Sequence, residues 1–289
     1  MHGAVVDIVS TLSTAGYLFI VSAGLTLIFG AVRVINLAHG SFYMYGAFLL
    51  TTIVGLSSGT KFWLAVPVCA LALAALGALV EVTVMRRLYE REHLTQLLAT
   101  FGLLLIFGDL ALHLWGTGAR TVAPPVPFHG RFTLAGATVP AYDIVVIGVA
   151  ALVGAGLWLL LTRSMFGWRI RAAVSDPETL ACAGVNTKLL MTMVFALGAG
   201  LAGLAGAIVS PQSSVAPGID QAIIVSAFIV TVIGGLGSIL GSALGALLIG
   251  LAETLGTRYV PDWASTVIYV VLIVVLVARP SGLLGAPER

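Results

Sequence analysis

LAVPVCALALAALGALVEVTV, residues 64–84, is apolar almost without a break for the length that a helix needs to cross a bilayer. A span takes about 20 mainly apolar residues to cover the ~30 Å hydrocarbon core. A transmembrane barrel would show strands of roughly ten residues with apolar and polar positions alternating. This run does not alternate, so a barrel is excluded. Outward from it, further apolar stretches fall at about 7–30, 41–56, 94–116, 141–162, 189–209, 219–235, 239–257 and 263–279. The whole chain of 289 residues is 59% hydrophobic and only 9% charged, with a mean hydropathy of +1.09, whereas a soluble domain carries roughly 25% charged residues. The fold class expected is all-α: a polytopic integral membrane protein of eight or nine transmembrane helices, one membrane domain over residues 1–289.

The net charge of +2 is too small for a nucleic-acid partner, and no Lys/Arg cluster is interleaved with aromatics. Cys69 lies in an apolar run and Cys182 in a polar loop, so both are expected as free thiols. No basic segment precedes the first stretch, which carries Asp7 and is too long for the core of a cleaved signal peptide, so it reads as a retained helix. Cytoplasmic loops collect Lys and Arg. With the N-terminus outside, nine alternating spans put Arg33, Arg86, Arg87, Arg91, Arg163, Arg169, Arg171, Lys188, Arg279 and Arg289 inside, and leave Lys61, Arg120, Arg131 and Arg258 outside, ten against four. That bias favours a periplasmic N-terminus and a cytoplasmic C-terminus. The external loop 117–140 carries Pro124, Pro125 and Pro127 and is not expected to be helical in its first half.

Small residues cluster in GAGLAGLAGA (198–207) and GGLGSILGSALGALLIG (234–250), the composition that lets membrane helices approach closely. Polar residues also interrupt apolar stretches at GAVRVINLAHG (30–40) and GGLGSILG (234–241). Transporters place substrate beside interrupted helices in two related halves. Asn36, His39, Gly235 and Gly237 are therefore candidates for a solute path, with Glu253 near the end of the eighth stretch. His39 is equally readable as an interfacial histidine bonding freed backbone groups, and Glu253 as a carboxylate reaching the interface. Asp109 and His113, spaced i, i+4, share a helix face, but a metal site would need more ligands. Glu81 and Arg258 sit near span ends, where they can reach water.

The inward loop 163–188 holds the clearest local signal. Asp176 caps free amides, Pro177 suits the first helical position, Glu178 complements the dipole and Gly184 suits a left-handed stop. The helix so defined is about 10 Å long. It spans nothing and belongs at the cytoplasmic surface. Pro177, Leu180, Ala181 and Gly184 share one face, with Arg169 and Arg171 before it, which suits either a docking helix or a solvated connector.

The run FGWRIRAAVSDPETLACAGVNT (166–187), with INLAHGSFYMYGAFL (35–49), GGLGSILGSALGALLIGLAETLG (234–256) and RPSGLLG (279–285), resembles the permeases of branched-chain amino acid ABC importers, of the LivH type. The resemblance covers most of the chain, the external loop least. It implies that the loop around Arg171, Asp176, Ala181, Gly184 and Asn186 is a coupling helix seated in a cytoplasmic ATPase. It further implies a second permease subunit, two ATPase subunits that bind ATP and magnesium, and a periplasmic binding protein that delivers solute. This chain would bind no cofactor or metal itself, its remaining surface meeting membrane lipid.

Other classes fare worse on the residues. No GxxxxGK[ST] loop accompanies Lys61 or Lys188, the only lysines, so ATP hydrolysis belongs elsewhere. A membrane hydrolase using Ser238 with His39 or His113 would need those groups in hydrogen-bond reach, which the spacing does not require. A channel or secondary transporter built on the same interrupted helices is the stronger rival. Branched-chain or related neutral amino acids are the expected solutes, with urea, short amides and aromatic acids as alternatives.

Overall fold

Inside a bilayer each backbone N–H and C=O must find its partner within the protein, and a helix does this with its own residues. The computed structural model, which describes residues 2–55, 60–134 and 136–285, follows that rule. Its helices are α1 (His2–Val32), α2 (His39–Val54), α3 (Thr60–Thr83), α4 (His93–Trp115), α5 (Ala141–Arg163), α6 (Met165–Ser175), α7 (Pro177–Cys182), α8 (Thr187–Val209), α9 (Ile219–Gly234), α10 (Ile239–Tyr259) and α11 (Ala264–Ala278). A small antiparallel hairpin, β1 (Arg131–Leu134) and β2 (Ala137–Pro140), precedes α5, with Arg131 opposite Pro140 and Leu134 opposite Ala137. Neither this hairpin nor α6 is marked by the apolar stretches or the caps of the sequence.

Among the described residues seven helical segments are long and apolar enough to cross a membrane: α1, α3, α4, α5, α8, α10, and α11 taken together with the 3-10 turn before it as Pro261–Ala278. The remaining two apolar stretches form α2 and α9, of 16 residues each. At 1.5 Å per residue each is about 24 Å long, short of the ~30 Å core. Their starts explain the shortfall. The ring nitrogen Nε2 of His39, the first residue of α2, lies 3.0 Å from the Val21 carbonyl oxygen. Val21 is about 16 Å along α1 from its end at Val32. Residues 33–38 therefore turn back into the protein, starting from Arg33 in the left-handed region at φ 53°. Ser41 Oγ donates to Asp220 Oδ2 at 3.2 Å, and a Cβ on Gly40 would strike the Asp220 carbonyl. The first turns of α2 and α9 thus meet at depth.

Contacts sort the helix ends into two sets. At the first end, where α1 begins, Arg258 pairs with Asp7 and the Tyr142 hydroxyl donates to the Ile208 carbonyl at 2.8 Å. At the second end, where α1 finishes, Arg86 reaches Glu81 and Thr192. Following the chain through these contacts brings Arg33, Arg86, Arg87, Arg91, Arg163, Arg169, Arg171, Lys188 and Arg279 to the second end, and Lys61, Arg120, Arg131 and Arg258 to the first. Arg289 lies outside the described residues.

α1 and α8 form the centre, 72% of each apolar window being buried, against none for α11. Glycine permits this crowding: a Cβ on Gly206 would meet the Tyr43 carbonyl, one on Gly46 the Gly203 backbone, and one on Gly198 the Ile28 side chain. Hydroxyls add polar links, with Thr26 Oγ1 2.6 Å from Ser242 Oγ and 3.4 Å from Thr231 Oγ1, tying α1 to α10 and α9.

Candidate functional site

A cavity of about 510 Å³ opens among α1, α2, α5, α9 and α10 on the first-end side. Ser10, Ser13, Thr14 and Tyr17 supply one wall from α1, and Gln212 and Ser213 the segment after α8. Opposite them Ile219, Ala222 and Ile223 of α9, with Val209 of α8, form an apolar strip. Asp143 and Glu253 are the charged side chains of the lining. Asp143 Oδ1 accepts from Gln212 Nε2 at 2.7 Å and from Ser13 Oγ at 3.4 Å. Glu253 makes no hydrogen bond or ion pair with any described residue.

The inner limit of the cavity is the level at which α2 begins. Tyr17 lies one turn before Val21, and Tyr43 one turn after His39, the pair that locks the start of α2 to α1. Beyond that level the interior is closed: Asn36 is 1% exposed and His39 fully buried, and among the described residues neither the Asn36 side-chain polar atoms nor His39 Nδ1 has a hydrogen-bond partner. Phe42 packs against Phe195 at 6.2 Å between ring centroids. Of the expected solute-path residues, only Glu253 therefore lines the cavity, while Asn36 and His39 sit behind it. Gly235 and Gly237 lie away from this cavity, in the break between α9 and α10 that the polar interruption at 234–241 marks. Segment 235–238 is the turn between α9 and α10 at the second end, with φ 101° and 86° at the two glycines, and Gly285 is packed against Gly235. Ser238 caps α10 by accepting from the Gly241 amide at 3.1 Å.

At the second end the expected caps are present. Asp176 accepts from the Thr179 amide at 3.0 Å, Pro177 opens α7, and Gly184 has φ 81°. Asn186 Oδ1 accepts from the Leu189 amide at 3.0 Å and so caps α8, not α7. The shared-face reading needs correction at Leu180, which packs inward beside Ile170, Ala173 and Leu190. Ala181 and Gly184 are exposed. Arg171 is engaged within the chain, its guanidinium 4.8 Å from the Trp168 ring and donating to the Leu161 carbonyl.

Glu81 does not reach water as expected. It is fully buried and accepts from Arg86 at 2.9 Å, Thr192 at 2.7 Å and Tyr89 at 3.2 Å, joining α3 to the first turns of α8. Burial beside Glu81 pushes the Tyr89 hydroxyl well above its usual range. Asp109 and His113 are exposed on α4, and no three metal-binding side chains gather among the described residues. Asp143, Tyr17, Tyr43 and Gln212 went unnoticed in the sequence. The one available signal was Asp143, an acid in the first turn of an apolar helix.

Comparison with known proteins follows the same lines. Residues 7–276 match the family described as branched-chain amino acid transport system / permease component. The chain is 29% identical to the high-affinity branched-chain amino acid transport system permease protein BraD of Pseudomonas aeruginosa, over 98% of this chain and 96% of that protein. Identity to the corresponding LivH protein of Escherichia coli is 29%, over 93% of this chain and 91% of LivH. The fructose import permease protein FrcC of Rhizobium meliloti is 27% identical, with 93% of this chain and 74% of FrcC covered. No solved structure matches.

Proposed function

The chain belongs to the branched-chain amino acid transport permease family, and from that premise we propose that it is the membrane subunit of an importer that moves branched-chain or related neutral amino acids inward across the bacterial inner membrane. It is a multi-pass transport subunit of an ABC-type system and not an enzyme. ATP and magnesium are bound by two ATPase partners, and a periplasmic protein delivers the solute. A second permease subunit, related or identical, completes the path, and the exposed apolar faces of α4, α5 and α11 meet it or lipid. The chain binds no cofactor of its own.

The observation that carries this reading is a match along almost the whole chain to permeases named for the same solutes. The charge distribution supports a cytoplasmic second end, with a periplasmic N-terminus and a cytoplasmic C-terminus. The ATPase then meets the exposed residues Asp176, Ala181 and Gly184 on a segment that α6 and its Arg171–Trp168 stack hold in place. Membrane residues 1–289 act as one unit in this reading. The similarity to a fructose permease leaves the solute class open to the cavity itself, with urea, amides and aromatic acids as the alternatives. A secondary transporter is the other rival, since shortened helices that begin within the membrane also occur there.

The test is uptake of leucine by proteoliposomes carrying the co-expressed complex, with Asp176→Arg plus Ala181→Glu as the perturbation. The importer reading expects ATP-dependent uptake that the double variant abolishes by releasing the ATPase, with the permease still folded. Uptake that continues without ATP under an imposed ion gradient would establish the secondary transporter instead.

A further inference from the structure

We propose that Glu253, with Asp143 and Tyr43, forms a site for a primary ammonium group in the first-end cavity, so that the permease itself selects amine-bearing solutes. This rests on the importer reading and adds a site to it. The charge of the lining is the first argument: two carboxylates come from α5 and α10, and no Lys, Arg or His lines the cavity. An anionic solute would meet repulsion there, and a neutral sugar would leave both charges unanswered.

The second argument is that Glu253 has no hydrogen-bond or ion-pair partner among the described residues, whereas Glu81, Asp220 and Asp7 are answered. Glu81 has three donors, Asp220 has Ser41, and Asp7 has Arg258. Arg258, in the same helix as Glu253, is thus occupied elsewhere. An ionisable group within the membrane is costly and marks a functional position by default. Glu253 gains a counter-charge when a cation enters. Asp143 uses Oδ1 for Gln212 and Ser13 and stands in the first turn of α5.

Tyr43 supplies an independent indication. It is only 6% exposed, lines the cavity, and its hydroxyl has no hydrogen-bond partner among the described residues. That hydroxyl is available to a ligand that enters the cavity. Tyr17, Tyr43 and Glu253 line the same cavity. The apolar strip of Val209, Ile219, Ala222 and Ile223 offers an aliphatic side chain a surface on the same cavity.

The experiment uses the purified permease–ATPase complex in nanodiscs without binding protein. Equilibrium binding is measured for leucine, for 3-methylbutan-1-amine, which lacks the carboxylate, and for 4-methylpentanoate, which lacks the ammonium. Leucine and the amine should bind and the acid should not. Glu253→Gln should weaken both by about tenfold or more, the scale of one charge-assisted hydrogen bond. Asp143→Asn and Tyr43→Phe should each weaken them several-fold, and Asp109→Asn, which removes a carboxylate outside the cavity, should change nothing. Thermal unfolding checks that Glu253→Gln is folded, and binding of the amine by Glu253→Asp provides a second folded variant in which the charge is retained. Equal binding of the acid, no binding of any probe, or an unchanged affinity in Glu253→Gln overturns the proposal. If ATP-driven leucine uptake persists alongside such a result, the site falls and the importer reading stands. If uptake is independent of ATP, the importer reading falls, and binding of the amine still decides the site.

Discussion

Replacing Gly206 with alanine tests the packing that holds α2 against α8. The added Cβ would overlap the Tyr43 carbonyl oxygen, and would lie 2.9 Å from the Tyr43 carbonyl carbon and 3.0 Å from the Ala47 nitrogen. Ordinary contacts of a Cβ begin near 3.4 Å, and these neighbours are backbone, which cannot swing aside. α2 must retreat by roughly 1 Å or more, which forfeits about half of each van der Waals well across the crossing. With about 20 atom pairs at 0.1–0.2 kcal/mol each, the loss is on the order of 1 kcal/mol, and forced backbone shifts bring the total to about 1–3 kcal/mol. Alanine also recovers ~0.5–1 kcal/mol of helix preference over glycine, so the net effect is destabilisation by about 1–2 kcal/mol. Gly102 on α4 has no atom within 4 Å of its Cβ position, and there the same change keeps only the helix gain. Thermal unfolding of the two variants in one detergent should shift the midpoint in opposite directions. Equal shifts, or a stabilised Gly206→Ala, would refute the argument that this crossing depends on the missing Cβ.

Thr26→Val should destabilise by about 1 kcal/mol, because it strands the buried Ser242 hydroxyl 2.6 Å away; adding Ser242→Ala should restore part of the loss in a double-mutant cycle of unfolding. Arg33→Gly should raise the unfolding temperature, since φ 53° costs arginine roughly 1 kcal/mol that glycine does not incur; a lower midpoint would contradict this. Cys182 is exposed and Cys69 buried, so one equivalent of maleimide should attach to the folded chain, at Cys182. With the second end cytoplasmic, an impermeant maleimide should reach Cys182 only in inside-out vesicles, and labelling in right-side-out vesicles would reverse the orientation.

What the sequence revealed, and what it hid, follows from which interactions are local. Apolar stretches at 94–116 and 239–257 became α4 (His93–Trp115) and α10 (Ile239–Tyr259), because length and apolarity are demanded of each segment separately. The caps at Asp176 and Gly184 were equally legible, since each acts on amides or backbone angles within a few residues. The depth of α2 was not. It depends on Gly24, where a Cβ would lie 3.0 Å from the His39 ring, and on Asp220, far along the chain, meeting Ser41. The reading of Leu180 failed for a similar reason: helical spacing gives a face but not what covers it, and here the cover is Ile170 and Leu190. Asp143 and Glu253 are separated by most of the second half of the chain, so only the packing of α5 and α10 around α1 reveals one cavity.

That packing also says how the two ends of the protein could be joined in transport. α8 begins beside α7, is capped by Asn186 and is tied to α3 through Thr192 and Glu81. It ends at Val209 in the cavity wall, about 34 Å away at 1.5 Å per residue. Its glycines bring it close against α1, α2 and α3, onto the Ile28 and Leu73 side chains and the Tyr43 carbonyl. A displacement imposed on α7 by an ATPase therefore cannot be lost along a soft path: close-packed elements shift between discrete arrangements and do not deform continuously. The segment standing between the cavity and the second end is the start of α2, where His39 holds Val21 and where the Asn36 side chain has no hydrogen-bond partner among the described residues. It is the place in the closed interior where polar groups have least to lose by moving, and α8 touches it through Phe195 and Phe42. A path from the cavity to the second end is opened at lowest cost by freeing that turn, so His39→Ala should loosen the closed state and raise ATP-independent leucine leak in proteoliposomes. A leak no greater than that of the parent complex would place the barrier elsewhere.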